Sequence, residues 1–564
     1  MNLPVPPAAA SPPPLPSPSF RAFGSAARTP QVLVVGAGIG GLTAAALLAQ
    51  QGLAVQVLER AASPGGKMRQ VAHGGEHLDG GPTVLTMRWV FDAVFERLGL
   101  SLDEHLGLQR CSVLARHAWG AGERLDLLAD LESSVAAIRE FSGAAEAQRY
   151  RAFCARAQAV YQTLDRPFMQ SSLPTPGSLA WRVLRQQGPA GLLQLLRISP
   201  FTTLWQELGR YFHDPRLRQL FGRYATYCGS SPFEAPATLM LVAHVEREAV
   251  WQIEGGMYRL AQALAAAGRQ HGASYRYGCE VREVLLHSDG RVAGVELASG
   301  ERLHADAVLF NGDAQALSSG LLGRPVQQAL GLPATPAAAS LSALTWHGQA
   351  EVEAAPGGFE LSHHNVFFGR PEHYRAEFEA VAAGRLPESP TVYVCAQDRS
   401  GAALGKPRPK GQTERLMCLV NAPAMAPGRA APRHLNESEI ARCQEQMWAQ
   451  LSQAGLRLNR FSEAPPLCTR PEDFAQLFPG TGGALYGPAS QGWRASFQAR
   501  PDGCSRVPGL FLAGGSVHPG PGIPMAALSG QRAAELIGAA LHSTRRWARW
   551  TAPGRLTPGG MSTP

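Results

Sequence analysis

Three glycines and an acid near the start of the chain have the types and spacing needed to bind a dinucleotide. Gly36, Gly38 and Gly41 form a GxGxxG motif, and Glu59 follows them. The first glycine permits a tight turn, the second lets the backbone approach a pyrophosphate, and the third lets a helix pack closely on a strand. The phosphates then lie at the N-terminus of the helix. Glu59 is placed to accept hydrogen bonds from both ribose hydroxyls.

The flanking sequence supplies the elements that must position these residues. Val32 to Val35 is an apolar run typical of a strand buried on both faces of a parallel sheet. An Ala/Leu-rich helix follows and ends near Gly52, and Ala54 to Leu58 predicts a second strand that stops at Glu59. A membrane span over Leu42 to Leu58 is the competing interpretation, but polar residues interrupt it and it is short for a bilayer. The order of strand, helix, strand and acid predicts an α/β dinucleotide-binding fold.

The stretch RAASPGGKMR, Arg60 to Arg69, indicates which dinucleotide binds. The paired glycines Gly65 and Gly66 are followed by the cations Lys67 and Arg69. This pattern resembles the second phosphate-contacting loop of flavoproteins in which FAD lies extended across the sheet. A surface turn is the simpler alternative, but the position directly after the acid favours the flavoprotein loop. FAD is therefore the predicted cofactor, with this loop and its flanking Arg60 in contact with it.

Two further stretches point to a family. They are DGGPTVLTMRWVF, Asp79 to Phe91, and GLFLAGGSVHPGPGIPMAALSG, Gly509 to Gly530. They resemble the two ends of the flavin site in bacterial carotenoid desaturases of the phytoene desaturase type, and are most similar to the 1-hydroxycarotenoid 3,4-desaturase branch, also called methoxyneurosporene dehydrogenases. The resemblance implies further FAD contacts at Gly81, Pro82, Thr83, Val281, Gly514, Gly515, Ser516, Gly522, Ile523 and Met525.

The resemblance covers the chain from residue 30 to about residue 540. It implies an α/β fold: a Rossmann-like FAD-binding domain of the extended-FAD flavoprotein type, a substrate domain floored by a β-sheet, and a helical cap. The predicted parts are the FAD-binding domain at 31–100, 251–315 and 501–542, the cap at 101–250 and the β-rich substrate domain at 316–500. Residues 1–30, rich in Pro, Ala and Ser, predict a disordered tail, and 543–564 predicts a second tail.

Two interpretations of the cap segment around residues 178–212 stay open. The segment places Leu, Trp and Phe at helical spacing with Arg between them. Either its apolar stripe packs on the protein core, or the region from Trp181 to Arg197 lies on a bilayer and admits a lipid-soluble substrate. The RRWARW run, Arg545 to Trp550, is likewise either a solvated tail or an interfacial anchor.

Composition narrows the choice of partners. The net charge is +8, with Lys only at positions 67, 406 and 410, and charged residues make up 17% of the chain. No basic-aromatic module accompanies this charge, so a nucleic acid is not expected, and an anionic membrane surface is the simpler partner. Nine scattered cysteines without a CxxC pair predict neither a metal site nor a disulfide framework and fit a reducing compartment.

Few side chains offer themselves for proton transfer. His518 lies in the C-terminal signature and either accepts a proton or fixes its turn. Asp165 and Arg166 are acid–base candidates in an LDRPF stretch, with a surface ion pair as the alternative. Because cofactors carry hydride chemistry while the protein supplies position and excludes competing reactions, placement of the flavin matters more than a strong base.

These observations predict an FAD-dependent oxidoreductase that desaturates an acyclic 1-hydroxy or 1-methoxy carotenoid at the 3,4-position, by hydride transfer to the flavin. A phytoene or neurosporene desaturase, a carotenoid cis-trans isomerase and a non-catalytic carotenoid-binding flavoprotein are the alternatives. The resemblance further implies a quinone or oxygen as electron acceptor and peripheral attachment to the cytoplasmic face of the inner membrane.

Overall fold

The computed structural model describes residues 28–198, 201–331, 338–353, 358–399, 412–425, 433–461, 465–492 and 500–551. Side chains at 196–197, 459–461 and 543–551 lie outside this description. The predicted N-terminal tail up to residue 27 and the side chains of the RRWARW run therefore fall outside the described residues. So does the stretch from Gly401 to Gly411, which the sequence predicts to be a loop.

The described strands are short, apart from two long ones in the substrate domain. They are β1 Gln31–Val35, β2 Ala54–Leu58, β3 Gln70–His73, β4 Glu76–Asp79, β5 Leu108–Arg110, β6 Val113–Trp119, β7 Glu123–Leu128, β8 Trp251–Ile253, β9 Ser274–Arg276, β10 Val281–Leu286, β11 Val292–Leu297, β12 Arg302–His304, β13 Ala307–Phe310, β14 Ser342–Glu353, β15 His364–Phe368, β16 Val392–Ala396, β17 Thr413–Ala422, β18 Arg457–Phe461, β19 Leu467–Thr469 and β20 Leu510–Leu512.

Helices flank the sheets and form the cap. They are α1 Ile39–Gln50, α2 Trp89–Arg97, α3 Leu102–His105, α4 Leu131–Ser142, α5 Ala144–Leu164, α6 Pro176–Arg197, α7 Leu204–Tyr211, α8 Pro215–Gly222, α9 Leu241–Glu248, α10 Tyr258–Gln270, α11 Ala314–Ser318, α12 Arg324–Leu330, α13 Tyr374–Ala382, α14 Glu437–Gln453, α15 Pro471–Leu477 and α16 Ile523–Thr551.

A five-stranded parallel sheet carries the dinucleotide motif. Its order is β20-β13-β1-β2-β9, and each neighbouring pair runs parallel. α1, α10 and α16 pack together beside it, and the crossing of α1 and α16 is close because a Cβ at Gly530 would lie 2.2 Å from the Gly40 carbonyl oxygen. Sequence segments far apart in the chain therefore build one sheet, and the Rossmann-like α/β prediction is confirmed.

An eight-stranded sheet forms the floor of the second half of the molecule. Its order is β18-β14-β17-β16-β15-β6-β7, with β19 pairing to β14. A separate three-stranded antiparallel sheet joins β10, β11 and β12, as the strand and turn pattern between Cys279 and Asp313 predicts. The limits predicted for the individual domains stay predictions.

The helical cap from α4 to α9 encloses its own apolar cluster, which includes Phe153, Phe221 and Tyr224 from the cap and Phe368 from the floor sheet. α6 is bent where Gly188 adopts a φ of 69° directly before Pro189, as these two breakers predict. Among the described residues, no helix is both long enough and apolar enough to cross a bilayer.

Candidate functional site

The predicted FAD contacts converge at one edge of the parallel sheet. Gly36 follows β1, Glu59 follows β2, Asn311 follows β13 and Gly514 comes shortly after β20. Because all five strands run in the same direction, these residues lie together at the carboxyl ends of the strands, where open α/β sheets bind their ligands.

Backbone at the glycine turn is packed too closely for side chains. Gly36 has a φ of 99°, and a Cβ at Gly41 would lie 2.3 Å from the Gly36 carbonyl oxygen. The second glycine loop lies directly alongside: Gly65 N donates to Ala37 O at 2.8 Å, and a Cβ at Gly66 would lie 3.2 Å from the Gly38 Cα. Two bare backbone loops therefore meet at the start of α1, which fits the pyrophosphate of FAD.

Glu59 lies beside this turn. Its Oε2 accepts a hydrogen bond from Ala37 N at 2.6 Å, and its Oε1 accepts one from Ala61 N at 2.8 Å. Cys279 N donates to the Glu59 carbonyl oxygen at 2.8 Å, which brings the start of β10 and thus Val281 close to the acid. This arrangement fits a ribose at Glu59 with an adenine near Val281.

The side chains of the three cations in and beside the second loop are hydrogen-bonded to a later part of the chain. The Lys67 Nζ donates to Leu485 O at 2.5 Å, and the Arg69 Nη2 donates to Thr469 Oγ1 at 3.3 Å. Arg60 also binds a carbonyl oxygen of this later part of the chain. The glycines of the loop approach the predicted phosphate site with their backbone, and the FAD contacts predicted for its cations stay predictions.

Burial disfavours the charge on Lys67. It lowers the pKa of the Lys67 ammonium, while the nearby Asp313 carboxylate opposes the shift and Arg500 adds to it. Burial likewise raises the pKa of Asp313, and Lys67 opposes that rise. Lys67 and Asp313 are both partly buried, and the charge of each favours the charged form of the other.

The loop Gly81-Pro82-Thr83 connects the glycine loops to the floor sheet. A Cβ at Gly81 would lie 1.9 Å from the Lys67 carbonyl oxygen. Two residues further on, Thr83 Oγ1 and Tyr393 Oη share a hydrogen bond at 2.8 Å. The predicted FAD contacts in this loop therefore lie between the dinucleotide turn and β16.

The C-terminal signature closes the same edge of the sheet. Gly514 N donates to Ser529 Oγ at 2.8 Å, and Ser516 Oγ accepts from Ala314 N at 3.0 Å. A Cβ at Gly515 would be in ordinary contact with its nearest neighbour, the Pro521 Cα, at 3.6 Å. The remaining predicted contacts lie at the start of α16: Gly522, Ile523 and Met525.

Residues 39–346 match the model of the flavin-containing amine oxidoreductases. The chain belongs to this family. It is 51% identical over 538 residues to the hydroxyneurosporene desaturase of Rubrivivax gelatinosus, covering 95% of this chain and 97% of that protein. It is 44% identical to the hydroxyneurosporene desaturase of Cereibacter sphaeroides, covering 92% and 99%. The cyclohexylamine oxidase from Brevibacterium oxydans IH-35A shares the fold, with a TM-score of 0.53, 15% identity and coverage of 91% and 100%.

These findings confirm the resemblance to carotenoid desaturases and the fold class. The chain is an FAD-dependent oxidoreductase. The geometry described above fits that cofactor, because two side-chain-free loops, a carboxylate and a helix N-terminus meet at one edge of the sheet. The individual FAD contacts stay predictions.

Sequence reasoning missed two polar residues of this oxidoreductase's site. Asn311 donates from Nδ2 to Gly36 O at 3.2 Å, and its Oδ1 is buried without a hydrogen-bond partner among the described residues. Asp79 accepts from Met257 N at 2.6 Å, which fixes the turn before α10. The signals were present, since Asn311 directly follows β13 and Asp79 directly precedes the Gly80-Gly81 pair.

The fold brings the predicted proton-transfer residues of the oxidoreductase into one region. His518 Nε2 donates to the carbonyl oxygens of Phe168 and Ser171, each at 3.0 Å, and burial lowers its pKa. Asp165 accepts from a neighbouring glutamine at 2.9 Å, and Arg166 is exposed. This geometry favours the interpretation in which His518 fixes a turn, and the catalytic roles stay predictions.

Proposed function

We propose that this chain is an FAD-dependent desaturase that introduces a C=C bond at the 3,4-position of an acyclic 1-hydroxy or 1-methoxy carotenoid. The observation that carries the proposal is the 51% identity to a hydroxyneurosporene desaturase over 95% of the chain. That coverage includes the dinucleotide edge, the cap and the floor sheet together, so the substrate-facing elements are related as well as the cofactor site.

The side chains where cap and floor meet are apolar, as a polyene requires of its surroundings. Phe153, Phe221 and Tyr224 from the cap and Val366 and Phe368 from the floor belong to one buried apolar cluster. When bound, FAD supplies the two-electron oxidising chemistry. The protein's own side chains hold the substrate in register and exclude water from the reacting carbons.

We propose further that the enzyme binds peripherally to a membrane, at the cytoplasmic face of the inner membrane, through an exposed apolar surface of α6. Trp181 is 62% exposed and Leu193 58% exposed, and Leu184 is also exposed between them. The neighbouring Arg185 is exposed and suits anionic headgroups. The opposite side of the helix is buried at Leu179. An amphipathic helix of this kind lies in the membrane interface and would admit a lipid-soluble substrate. The proposed electron acceptor is a quinone or oxygen.

The membrane proposal is tested with Leu193→Glu, and Leu321→Glu is the matched control because Leu321 is 55% exposed elsewhere on the surface. Co-sedimentation with anionic liposomes should weaken at least tenfold, or about 1.4 kcal/mol, for the α6 variant and stay unchanged for the control. Equal binding by both variants would show that α6 does not contact the bilayer.

The reaction itself is tested anaerobically with the FAD-loaded enzyme in liposomes. It is offered 1-hydroxyneurosporene, neurosporene and phytoene in turn, and flavin bleaching and product mass are followed together. We expect bleaching and the loss of two hydrogens from the hydroxylated substrate. Reaction with phytoene alone would refute the 3,4-position, isomerisation without mass change would refute desaturation, and no bleaching with any polyene would refute the proposal as a whole.

A further inference from the structure

A group of polar side chains is buried where the cap, the floor sheet and the loop Gly81-Pro82-Thr83 meet. The surrounding interior is apolar and aromatic. Charged and polar groups are costly in such an environment unless they are paired or bind a ligand. We call this group the polar cluster; its members are Thr83, Arg223, Tyr224, Tyr227, Glu246, His364 and Tyr393.

The cap contributes the charged half of the polar cluster. Arg223 is 6% exposed and Glu246 is 5% exposed. Tyr224 donates a hydrogen bond to Glu246 Oε2, and Tyr227 Oη donates to Glu246 Oε1 at 3.1 Å. The guanidinium carbon of Arg223 lies 5.0 Å from the centre of the Tyr227 ring. Glu246 is therefore held by two phenols, and the Arg223 guanidinium stacks against one of them.

The floor sheet contributes the neutral half. His364 packs edge-on against Tyr393, with ring centres 5.7 Å apart, and Tyr393 Oη is hydrogen-bonded to Thr83 Oγ1. Burial and the charge of Arg223 both act to lower the pKa of His364 far below its ordinary value, so the imidazole is neutral. Tyr224 of the charged half belongs to the apolar cluster against which Tyr227 and Tyr393 both pack, so the two halves meet at this cluster.

Two buried nitrogens of the polar cluster have no hydrogen-bond partner among the described residues. They are Arg223 Nε and His364 Nε2. A buried polar atom left unpaired is destabilising, because it has lost its hydrogen bonds to water without replacement. Two such atoms from facing elements, inside an apolar interior, indicate that a polar group of a ligand completes them.

We propose that the polar cluster binds the oxygen on carbon 1 of the carotenoid, with Arg223 Nε as hydrogen-bond donor and His364 Nε2 as its second partner. Tyr227 and Glu246 are positioning residues that hold the guanidinium. This inference rests on the proposed function and names the feature of the substrate that the site selects. A hydroxyl and a methoxy oxygen both accept a hydrogen bond, so one donor serves either end group.

The chemistry of the substrate requires such a site close to the flavin. Carbon 3, one of the two reacting carbons, is only two bonds from carbon 1, so the group that binds the oxygen must lie next to the reacting centre. Thr83, a member of the polar cluster, is a predicted FAD contact and is hydrogen-bonded to Tyr393. A site that hydrogen-bonds a substrate oxygen rejects an analogue that lacks it, because its own polar atoms are then left unpaired.

The test compares 1-hydroxyneurosporene with neurosporene, which lacks the oxygen. Dissociation constants come from quenching of tryptophan fluorescence, and kcat/KM from anaerobic flavin bleaching. The variant is Arg223→Met with Glu246→Gln, which removes both buried charges together. The matched control is Arg399→Met with Glu414→Gln. That pair is also buried, and Arg399 Nε donates to Glu414 Oε2 at 2.7 Å.

The wild-type enzyme should prefer the hydroxylated compound at least about 100-fold in kcat/KM. The polar-cluster variant should lose most of this preference in binding and in kcat/KM, whereas the control should keep it with the same FAD content. A folded, FAD-loaded polar-cluster variant with wild-type preference would overturn the inference and leave the desaturase proposal standing. Failure of wild-type enzyme to bleach with any polyene would instead overturn the proposed function.

A second variant serves if the double substitution does not fold. His364→Leu removes the other unpartnered nitrogen and leaves the charged half intact. It should reduce the preference for the hydroxylated compound at least about tenfold. An unchanged ratio of the two dissociation constants in this variant would also overturn the inference.

Discussion

Substitution of Gly41 by Ala separates the role of the glycine turn from that of helix propensity. Gly41 lies inside α1, where Ala is favoured over Gly by about 1 kcal/mol. Propensity alone therefore predicts a more stable protein. The structure predicts the opposite, because the new Cβ would lie 2.3 Å from the Gly36 carbonyl oxygen and 2.8 Å from the Asn311 amide nitrogen.

The required displacement gives the magnitude. Ordinary contact begins at 3.4 Å, so the Cβ and the carbonyl oxygen must separate by 3.4 − 2.3 = 1.1 Å. Overpacking of this kind costs about 1–3 kcal/mol, which offsets or exceeds the gain in propensity. A backbone shift of this size also misplaces the amides that are predicted to face the pyrophosphate. Loss of two hydrogen bonds to a charged group, at about 1.5–3 kcal/mol each, weakens FAD binding at least about 100-fold.

FAD content per chain, FAD affinity by flavin fluorescence and urea unfolding of the apoprotein together test this reasoning. Gly177→Ala is the control, because Gly177 lies in the first turn of α6 with open space around its Cβ position and no positive φ. The control should keep its FAD and change the free energy of unfolding by less than about 1 kcal/mol. A Gly41→Ala protein that binds FAD normally and unfolds at a higher urea concentration would refute the steric argument.

Three further outcomes are expected. Burial raises the pKa of the Glu377 carboxyl to about 7, so the folded protein keeps a proton that the unfolded chain loses above its ordinary pKa of 4.5. The free energy of unfolding should therefore fall by up to about 3 kcal/mol between pH 5 and 7. Urea unfolding of Glu377→Gln over the same pH range should show a smaller fall. Arg399→Met alone should lower the free energy of unfolding by about 3–5 kcal/mol because it leaves Glu414 buried and unpaired, and addition of Glu414→Gln should restore most of the stability. Thermal unfolding in which the losses of the two single variants simply add in the double variant would contradict this. His518→Gln should lower the free energy of unfolding by about 1–2 kcal/mol through loss of its carbonyl contacts, and the pH profile of kcat should keep its shape; loss of one limb of that profile would instead identify His518 as the proton acceptor.

Local sequence was sufficient to predict the dinucleotide half of the site. The turn after β1, the acid after β2 and the helix between them depend on neighbouring residues, because a glycine turn, an apolar strand and an Ala/Leu-rich helix each have a short-range pattern. The meander that follows Cys279 was predictable for the same reason, since turn residues alternate with β-branched runs. The resemblance of the Asp79 and Gly509 stretches to carotenoid desaturases extended the prediction to the family.

Partners far apart in sequence were decided by the tertiary structure alone. Arg60 precedes the second glycine loop and Lys67 and Arg69 follow it, yet the side chains of all three bind backbone or side-chain oxygens of residues more than 390 positions later. No local pattern encodes which distant oxygen a flexible cation reaches.

The polar cluster shows the same limit. The packing of Tyr227 from the cap and Tyr393 from the floor against one apolar cluster depends on how the cap packs against the floor sheet. Sequence periodicity specifies which face of each element is buried. Which buried polar atoms then remain unpaired is fixed only when both elements are in place, because satisfaction of a hydrogen bond is a property of the pair and not of either residue.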